Sequence, residues 1–370
     1  MAFVAIASLA CSKENPSEQT PQQAQMATLE VNVSDGVATR ATTVKDSQIG
    51  TEAGDIQVLI FNQSGNLVAY ASNTASSSTI SLSVPTGQLK CYAVVNSSEN
   101  LKGVIKESGL TGKTSYLKNN SVTKMEMIGS VSKSIVSGSN SVSIPVKRFA
   151  SKVQIDKITP AFTAPAHKAL EFRLTGIYLV NVNGSCPYTL TSTAGSTDYW
   201  YNKMKYVSGD CNALISDKLS TPVTLQASAD AVTPYTTAHY LYCYPNPVTT
   251  DSSSSTWSNR YTRLVVETTL GGTTYYYPVN IPSPAANTMY QITNMKITGL
   301  GSDSPDKVVE KGSLSVSITV TDWSTGFSKE VEYSNSGNAG QATCLGQERG
   351  TQKRGRPLRS GVRLPSFPLL

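Results

Sequence analysis

Apolar and polar residues alternate with a period of two along most of this chain, a pattern that predicts β-strands rather than helices. The clearest example lies late in the sequence, where GSLSVSITVTDW occupies residues 312–323. A similar strand lies near the N-terminus, at residues 28–34. The alternating apolar positions are Leu314, Val316, Ile318 and Val320 in the late strand and Leu29, Val31 and Val33 in the early one. Each strand is therefore expected to bury one face and expose the other.

The predicted strands fall into two groups, so we expect an all-β protein with two Greek-key β-sandwich domains, residues 28–146 and 147–334. The first domain has predicted strands at 28–34, 56–62, 66–72, 79–84, 89–96, 122–129 and 141–147. The second has them at 150–156, 170–182, 239–246, 262–270, 273–281, 290–300 and 312–323, followed by a last strand in SKEVEYSN.

The segments between these strands predict turns, one helix and one long loop. The segments Gln63–Gly65 and Gly271–Gly272 predict hairpin turns, because both contain the glycine that tight turns favour. One short helix is expected near residues 101–117. Between about 183 and 237 the alternation weakens, which predicts an elaborated loop with short helical pieces.

The charge distribution argues against nucleic-acid binding. The chain of 370 residues carries a formal charge of +6, but residues 336–370 hold six Lys or Arg against Glu348, a net of +5, and this leaves +1 for residues 1–335. The body therefore has no basic stripe for a phosphate backbone. Residues 335–370 lack alternation and are rich in Arg, Gly and Pro, so we expect a disordered or aberrant tail without an assigned function.

No residue pattern predicts catalysis, a cofactor or a metal site. The chain has no CxxC, P-loop, GxGxxG, HExxH or GxSxG motif. Cys186, Cys211 and Cys243 could supply one disulfide in an oxidising compartment, and Cys186 and Cys211 are the nearest pair in sequence. Tyrosines recur in the strands 239–246 and 273–281, where packing is favoured over the alternative of glycan binding.

The N-terminal segment MAFVAIASLAC is apolar and stops at Cys11. It is too short to span a bilayer, and its small residues Ser8 and Ala10 resemble the end of a bacterial lipoprotein signal. The sequence thus predicts lipidation of Cys11, with ordinary secretion and an incidental cysteine as the alternative. Residues 12–27, rich in Gln, Ser, Glu and Pro, are expected to form a flexible tether.

Several segments in the same order resemble the major fimbrial subunits, or fimbrillins, of type V pili from Gram-negative anaerobes. They are VKRFASKV at 146–153, YCYPNP at 242–247, TRLVVETTLGGTTYYYPVNI at 262–281, NTMYQITNMKITGLGS with Asn287 and Tyr290, and GSLSVSITVTDW at 312–323. The resemblance covers roughly residues 1–333.

The resemblance implies a specific way of assembly. Fimbrillins are exported as outer-membrane lipoproteins with two transthyretin-like β-sandwich domains, and a trypsin-like protease cuts them after an arginine behind the first strand. The matching bond here is Arg40–Ala41, which makes residues 28–40 a removable first strand. Leu314 to Val320 would be the donor strand that fills the opened groove of the next copy. The expected partners are copies of this chain, other fimbrial subunits, the Arg-specific protease and the outer membrane.

Three hypotheses remain open from the sequence. The first is a polymerising fimbrial subunit at the cell surface. The second is a fimbrial anchor or tip protein that keeps its lipid on Cys11. As an alternative to donation, the strand from Leu314 to Val320 could complete its own domain. The third is a surface lipoprotein that binds glycans through exposed tyrosines.

Overall fold

The computed structural model describes residues 25–34, 55–73, 77–191, 197–210, 216–248, 252, 254–307, 313–322 and 328–333. These residues form an almost entirely β structure, as the alternation predicts. The two α-helical turns are α1 (Glu107–Thr111) and α2 (Pro165–Lys168), and Leu117–Asn119 and Thr197–Tyr199 form 3-10 turns. Cys11, Arg40, Ala41, the tether up to Ala24 and the tail after Tyr333 lie outside the described residues.

The strands are numbered in chain order. Those up to residue 148 are β1 (Met26–Ser34), β2 (Ile56–Asn62), β3 (Leu67–Ser72), β4 (Thr79–Pro85), β5 (Gly87–Val95), β6 (Thr114–Tyr116), β7 (Met127–Ile135), β8 (Ser139–Pro145) and β9 (Lys147–Arg148). The next are β10 (Ser151–Ile155), β11 (Ile158–Pro160), β12 (Phe172–Val180), β13 (Val182–Asn183), β14 (Ser185–Pro187), β15 (Trp200–Tyr201) and β16 (Ser216–Gln226). The last are β17 (His239–Cys243), β18 (Arg263–Leu270), β19 (Thr273–Asn280), β20 (Thr288–Ile292), β21 (Met295–Ile297), β22 (Leu314–Asp322) and β23 (Ser328–Tyr333).

Four larger sheets make up the architecture. The first sheet has the order β4-β1-β8, and the second has the order β3-β2-β5-β7-β9. The third sheet runs β11-β21-β22-β20-β10-β17 with β23 on the other edge of β22, and the fourth runs β16-β12-β18-β19. The first and second sheets enclose one buried apolar cluster, while the third and fourth enclose a larger one. Two layers of sheet around an apolar core form a β-sandwich.

The second sheet is buried on both faces. Ile56, Val58 and Ile60 of β2 belong to the cluster under the first sheet, whereas Leu59 and Phe61 belong to the larger cluster of the third and fourth sheets. This is why IQVLIFN is a continuous apolar run rather than an alternating one. The larger cluster therefore extends across the boundary at 146/147 that the sequence suggested, and the division into two domains stays a prediction.

Most predicted strands and both hairpins are confirmed. The turn Gln63–Gly65 joins β2 to β3, and Gly271–Gly272 joins β18 to β19 with φ angles of 56° and 81°. Positive φ at both central residues is what a type I′ turn requires, and glycine adopts it without a Cβ clash. The short helix expected in 101–117 is α1.

The strands predicted at 170–182 and 290–300 are each divided in two, into β12 and β13 and into β20 and β21, and two further predictions were wrong. The strand predicted at 122–129 lies at Met127–Ile135, because its second half is mostly exposed and rich in serine, which weakens the apolar signal. The strand β16 falls in the segment predicted as a loop. It is an edge strand that contains Pro222 and shifts register against β12, so it shows no clear alternation.

The cysteines do not form the disulfide considered from the sequence. Cys91, Cys186 and Cys243 are buried and free, and Cys211 lies outside the described residues. Burial raises the pKa of the Cys91 thiol to about 11 and that of the Cys186 thiol to about 12. These thiols are therefore protonated, unreactive parts of the core.

A buried polar network lies where the second sheet meets the later half of the chain. The Tyr188 hydroxyl donates a hydrogen bond to Glu126 Oε1, and Asn120 Oδ1 accepts from the backbone N–H of Glu126 at 2.6 Å. The Ser115 and Tyr244 hydroxyl oxygens lie 2.6 Å apart. Glu126 is only 5% exposed, and burial raises the pKa of its carboxyl group because the charged form loses hydration.

Replacing Glu126 by Gln tests this shift. Because the folded protein holds the proton more tightly than the unfolded chain, this group's contribution to stability is complete below the ordinary pKa of 4.5 and is lost as the pH rises through the folded value. The free energy of unfolding of the wild type should therefore fall relative to that of Glu126→Gln from pH 4.5 to neutral pH in urea titrations. Tyr188→Phe keeps the carboxyl group and should keep the pH dependence. A difference that does not change with pH would contradict this expectation.

Candidate strand-exchange site

The N-terminal strand β1 is the central strand of the first sheet. It pairs antiparallel with β4, where Leu29 lies opposite Leu82, and parallel with β8, where Leu29 lies opposite Asn140. The pairing continues to the end of the strand, where the backbone N–H of Val146 donates to the carbonyl of Ser34 at 2.8 Å. Both backbone edges of β1 are thus satisfied by neighbours that are distant in sequence.

One face of β1 is fully buried. Leu29 and Val31 are 0% exposed and Val33 is 2% exposed, while Thr28, Glu30 and Asn32 on the other face are exposed. Burial of an aliphatic side chain is worth about 1.5–3 kcal/mol, so these three contribute roughly 5–9 kcal/mol before the entropy of ordering is subtracted. The alternation in the sequence therefore identifies the buried face correctly.

Without β1, the first sheet would contain a slot between β4 and β8. Since β4 runs antiparallel to β1 and β8 runs parallel to it, the two walls run in opposite directions. A strand inserted in either direction would form one parallel and one antiparallel ladder. The floor of the slot includes Val58, Ile60 and Ala93 of the second sheet, and the walls add Leu82, Val142 and Ile144 to the same apolar cluster. These residues were not singled out from the sequence, because the order of strands in a sheet is not visible there.

The expected processing site lies beyond the described part of β1. The described chain stops at Ser34 and resumes at Asp55, so Arg40 and Ala41 fall between these points, outside the described residues. Cys11 also lies outside them. Cleavage after Arg40 and lipidation of Cys11 stay predictions.

The expected donor strand, β22, is inside its own sheet. Residues of β22 pair with β20 and β21 on one edge and with β23 on the other. Leu314, Val316 and Ile318 are 7%, 8% and 0% exposed, and Val320 is half-buried. In this structure the strand completes its own sandwich, as one of the hypotheses from the sequence allowed.

The strands β1 and β22 have the same length and the same pattern of apolar and polar residues. Each is nine residues long, and each places an apolar residue at every second position. The outward positions are polar in both, Thr28, Glu30 and Asn32 in β1 against Ser315 and Ser317 in β22. A slot shaped for β1 therefore has the length and the alternation that β22 could fill.

The tyrosine-rich strands pack rather than form an open binding stripe. Tyr242, Tyr244 and Tyr277 are 0% exposed, and Tyr240 and Tyr276 are half-buried. Packing, the interpretation favoured from the sequence, is confirmed for the three buried rings.

No group of three or more His, Cys, Asp or Glu side chains in the described ranges is arranged to hold a metal ion. None of the helices within those ranges has the length and apolar character needed to cross a bilayer.

Solved structures with a similar fold come from fimbrial and adhesion proteins. A candidate cell adhesion protein from Bacteroides eggerthii matches 82% of this chain and 98% of its own, at 16% identity and a TM-score of 0.57. A fimbrilin from Porphyromonas gingivalis matches 81% of this chain and 98% of its own, at 15% identity and a TM-score of 0.57. A candidate cell adhesion protein from Parabacteroides distasonis matches 81% of this chain and all of its own, at 16% identity and a TM-score of 0.53.

No protein-family model matches the chain, and no curated protein does so significantly. At 15–16% identity, the likeness to solved structures establishes the fold. The resemblance to fimbrillins that the sequence suggested is thus confirmed at the level of the fold, which this chain shares with a fimbrilin.

Substituting Leu29 by Ala tests how far the first sheet depends on β1. The side chain is fully buried, so its truncation should lower the free energy of unfolding by about 2–5 kcal/mol through lost burial and a residual cavity. The matched control is Thr28→Ala on the exposed face, which should change stability by about 0.5 kcal/mol or less. Equal effects of the two substitutions in urea unfolding would show that β1 is not an integral strand.

Proposed function

We propose that this protein is a structural subunit of a cell-surface fimbria (pilus) whose copies join by donating β-strands to one another. The observation that carries the proposal is the place of β1, an N-terminal strand buried at the centre of its sheet. The fold shared with a fimbrilin and with candidate cell adhesion proteins supports a pilus-related role.

The proposed assembly begins with export as a lipoprotein. The lipid on Cys11 would hold the precursor at the outer membrane, with residues 12–27 as the tether. A trypsin-like, Arg-specific protease would then cut the Arg40–Ala41 bond and release the chain that carries β1. The slot between β4 and β8 would open, and the strand β22 of a second copy would enter it.

The count of backbone ladders is the same before and after β22 moves into the slot. Loss of β1 leaves two unpaired edges, one on β4 and one on β8. When β22 leaves its own sheet, it gives up the ladder with β20 and β21 and the ladder with β23. In the slot it would form one ladder with β4 and one with β8, so the number of ladders stays the same.

The depth of burial favours the movement of β22 into the slot. The apolar face of β22 is slightly exposed in its own sheet, with Val316 at 8% and Val320 half-buried, whereas Val31 of β1 is fully covered. Four aliphatic side chains in the slot would be worth roughly 6–12 kcal/mol gross. Because β22 gives up similar burial when it leaves, the net driving force is the difference between the two sites.

The geometry of donation determines the form of the assembly. Each copy would give a strand at one place and accept one at another, so the contact is heterologous and builds an open filament rather than a closed ring. Slow withdrawal of a buried strand would make the filament kinetically durable.

A second candidate is an accessory subunit, an anchor or a tip. The observation that favours it is that β22 is already paired on both edges within its own sheet. In that case the lipid on Cys11 would be retained and no polymer would form.

Cleavage and polymerisation can be tested together on protein produced from residue 12 onward. We expect an Arg-specific protease to create a new N-terminus at Ala41, identified by mass spectrometry, and unboiled SDS gels to show a ladder of oligomers afterwards. Arg40→Gln should prevent both, whereas Lys45→Gln, the next basic position, should behave as the wild type. Cleavage at Ala41 without a ladder would favour the accessory role. Resistance of the Arg40–Ala41 bond while other arginine sites are cut would contradict the proposal.

A competing peptide tests the slot itself. A synthetic peptide of residues 313–322 should reduce the ladder when it is added at the time of cleavage, because it would occupy the space left by β1. The same peptide with Ile318 replaced by Asp should have little effect, since an unpaired charge cannot be buried in an apolar slot. Equal inhibition by both peptides would show that the apolar face does not mediate assembly.

A further inference from the structure

The loop after β21 crosses from the third sheet to the fourth. Ser302 in this loop pairs with Tyr276 of β19 in both directions, with N–H···O distances of 2.9 Å from Tyr276 and 2.7 Å from Ser302. The Tyr277 hydroxyl donates to the carbonyl of Gly299 at 3.0 Å. The loop is therefore attached to the edge of the fourth sheet before the chain returns to β22.

The carboxylate of Asp306 anchors the end of this loop. Its two oxygens accept hydrogen bonds from Arg260 Nη1 at 2.6 Å, from Arg263 Nη1 at 2.5 Å and from Asn181 Nδ2 at 2.6 Å. The Asp306 side chain is 7% exposed, and each arginine side chain is 1% exposed. Charge-assisted bonds in such a buried place are strong, and the arginines would lose their counter-ion without Asp306.

The two arginine partners of Asp306 are held by the fourth sheet and by the chain just before β18. Arg263 belongs to β18, and its Nε donates to Asn280 Oδ1 of β19 at 2.7 Å. Arg260 donates from Nε to the carbonyl of Ser258 at 3.0 Å. None of these bonds involves β22 or β23, so the anchor would persist if those strands left.

The attachment on the far side of the loop is of a different kind. The carbonyl of Ser313 accepts from the backbone N–H groups of Thr298 and Gly299 at 3.0 and 3.1 Å, and β22 continues as a backbone ladder with an apolar face. Ladders of this kind can be exchanged for equivalent ones in another sheet. A buried ion cluster cannot, because its partners would have to be supplied again.

We propose that Asp306 is the fixed base of the donor segment, so that residues up to Asp306 stay on their own subunit while β22 and β23 move to the next. This inference rests on the proposed strand exchange and adds where the moving part begins. From Asp306 to Leu314 the chain has eight Cα–Cα steps, which span at most about 26–29 Å. The slot of the accepting copy must therefore open within that distance of Asp306, which limits the spacing of subunits in the filament.

Two engineered disulfides test the inference in the protein that carries residues 12–370. The first joins Tyr276→Cys to Ser302→Cys, which are directly opposed and staple the loop to β19. The second joins Lys296→Cys to Ser315→Cys, which are paired between β21 and β22 and staple the donor strand to its own sheet. After cleavage by the Arg-specific protease, the first staple should leave the SDS-resistant ladder unchanged. The second should abolish the ladder until a reductant is added.

The outcomes separate this inference from the proposed function. A ladder that is lost with the first staple and returns on reduction would mean that the loop must leave, and Asp306 would not be the base. A ladder that persists with the second staple would mean that β22 is not the donor, which would overturn that part of the proposed function. A wild-type protein that forms no ladder would overturn both.

The role of Asp306 itself is tested by Asp306→Asn against the matched control Asp303→Asn. Asp303 is exposed and pairs with Lys307 on the surface. Hydrogen exchange is measured on the SDS-resistant oligomers. The backbone amides of residues 299–306 should lose protection from exchange in Asp306→Asn and keep it in Asp303→Asn. Unchanged protection in Asp306→Asn would show that Asp306 does not hold the loop. If that variant does not fold, the first staple still decides whether the loop is stationary.

Discussion

The packing of the first sheet on the second depends on the burial of one strand, β1, between two others. Strand β1 supplies the middle of the first sheet, and both of its neighbours direct their backbone groups at it. Its apolar face closes the cluster formed with the second sheet, where Leu29 and Val31 have no exposure. Among the described residues, this interior strand connects to the other strands through the chain that follows Ser34.

In the proposed exchange, β22 has two possible places: its own sheet and the slot that β1 leaves in another copy. The slot of β1 has two walls, and β22 has a neighbour on each of its two edges in its own sheet. The two sites accept the same alternation and pair the strand along both edges, so the difference between them is in the depth of burial. In that exchange, the burial of Asp306 against two arginines would limit the moving segment to the residues that follow Asp306.

The halves of the protein are coupled through the second sheet. Its strand β2 directs Ile60 towards one cluster and Phe61 towards the other, and Phe149 and Tyr244 continue the larger cluster into the later half. Glu126 and Tyr188 close a polar network at the same place.

The sequence by itself determined that the chain is built from strands, and which faces of β1 and β22 are apolar, because the pleat places successive side chains on opposite faces. It also indicated the Gly271–Gly272 hairpin, since a local turn requires only local residues. It did not indicate β16, whose edge position and Pro222 weaken the alternation, nor the contacts of Glu126 and Asp306. Only the tertiary structure decided that β1 lies between β4 and β8, and that β22 lies in its own sheet. Those pairings join residues far apart in the chain, and many strands with the same alternation could have satisfied either edge.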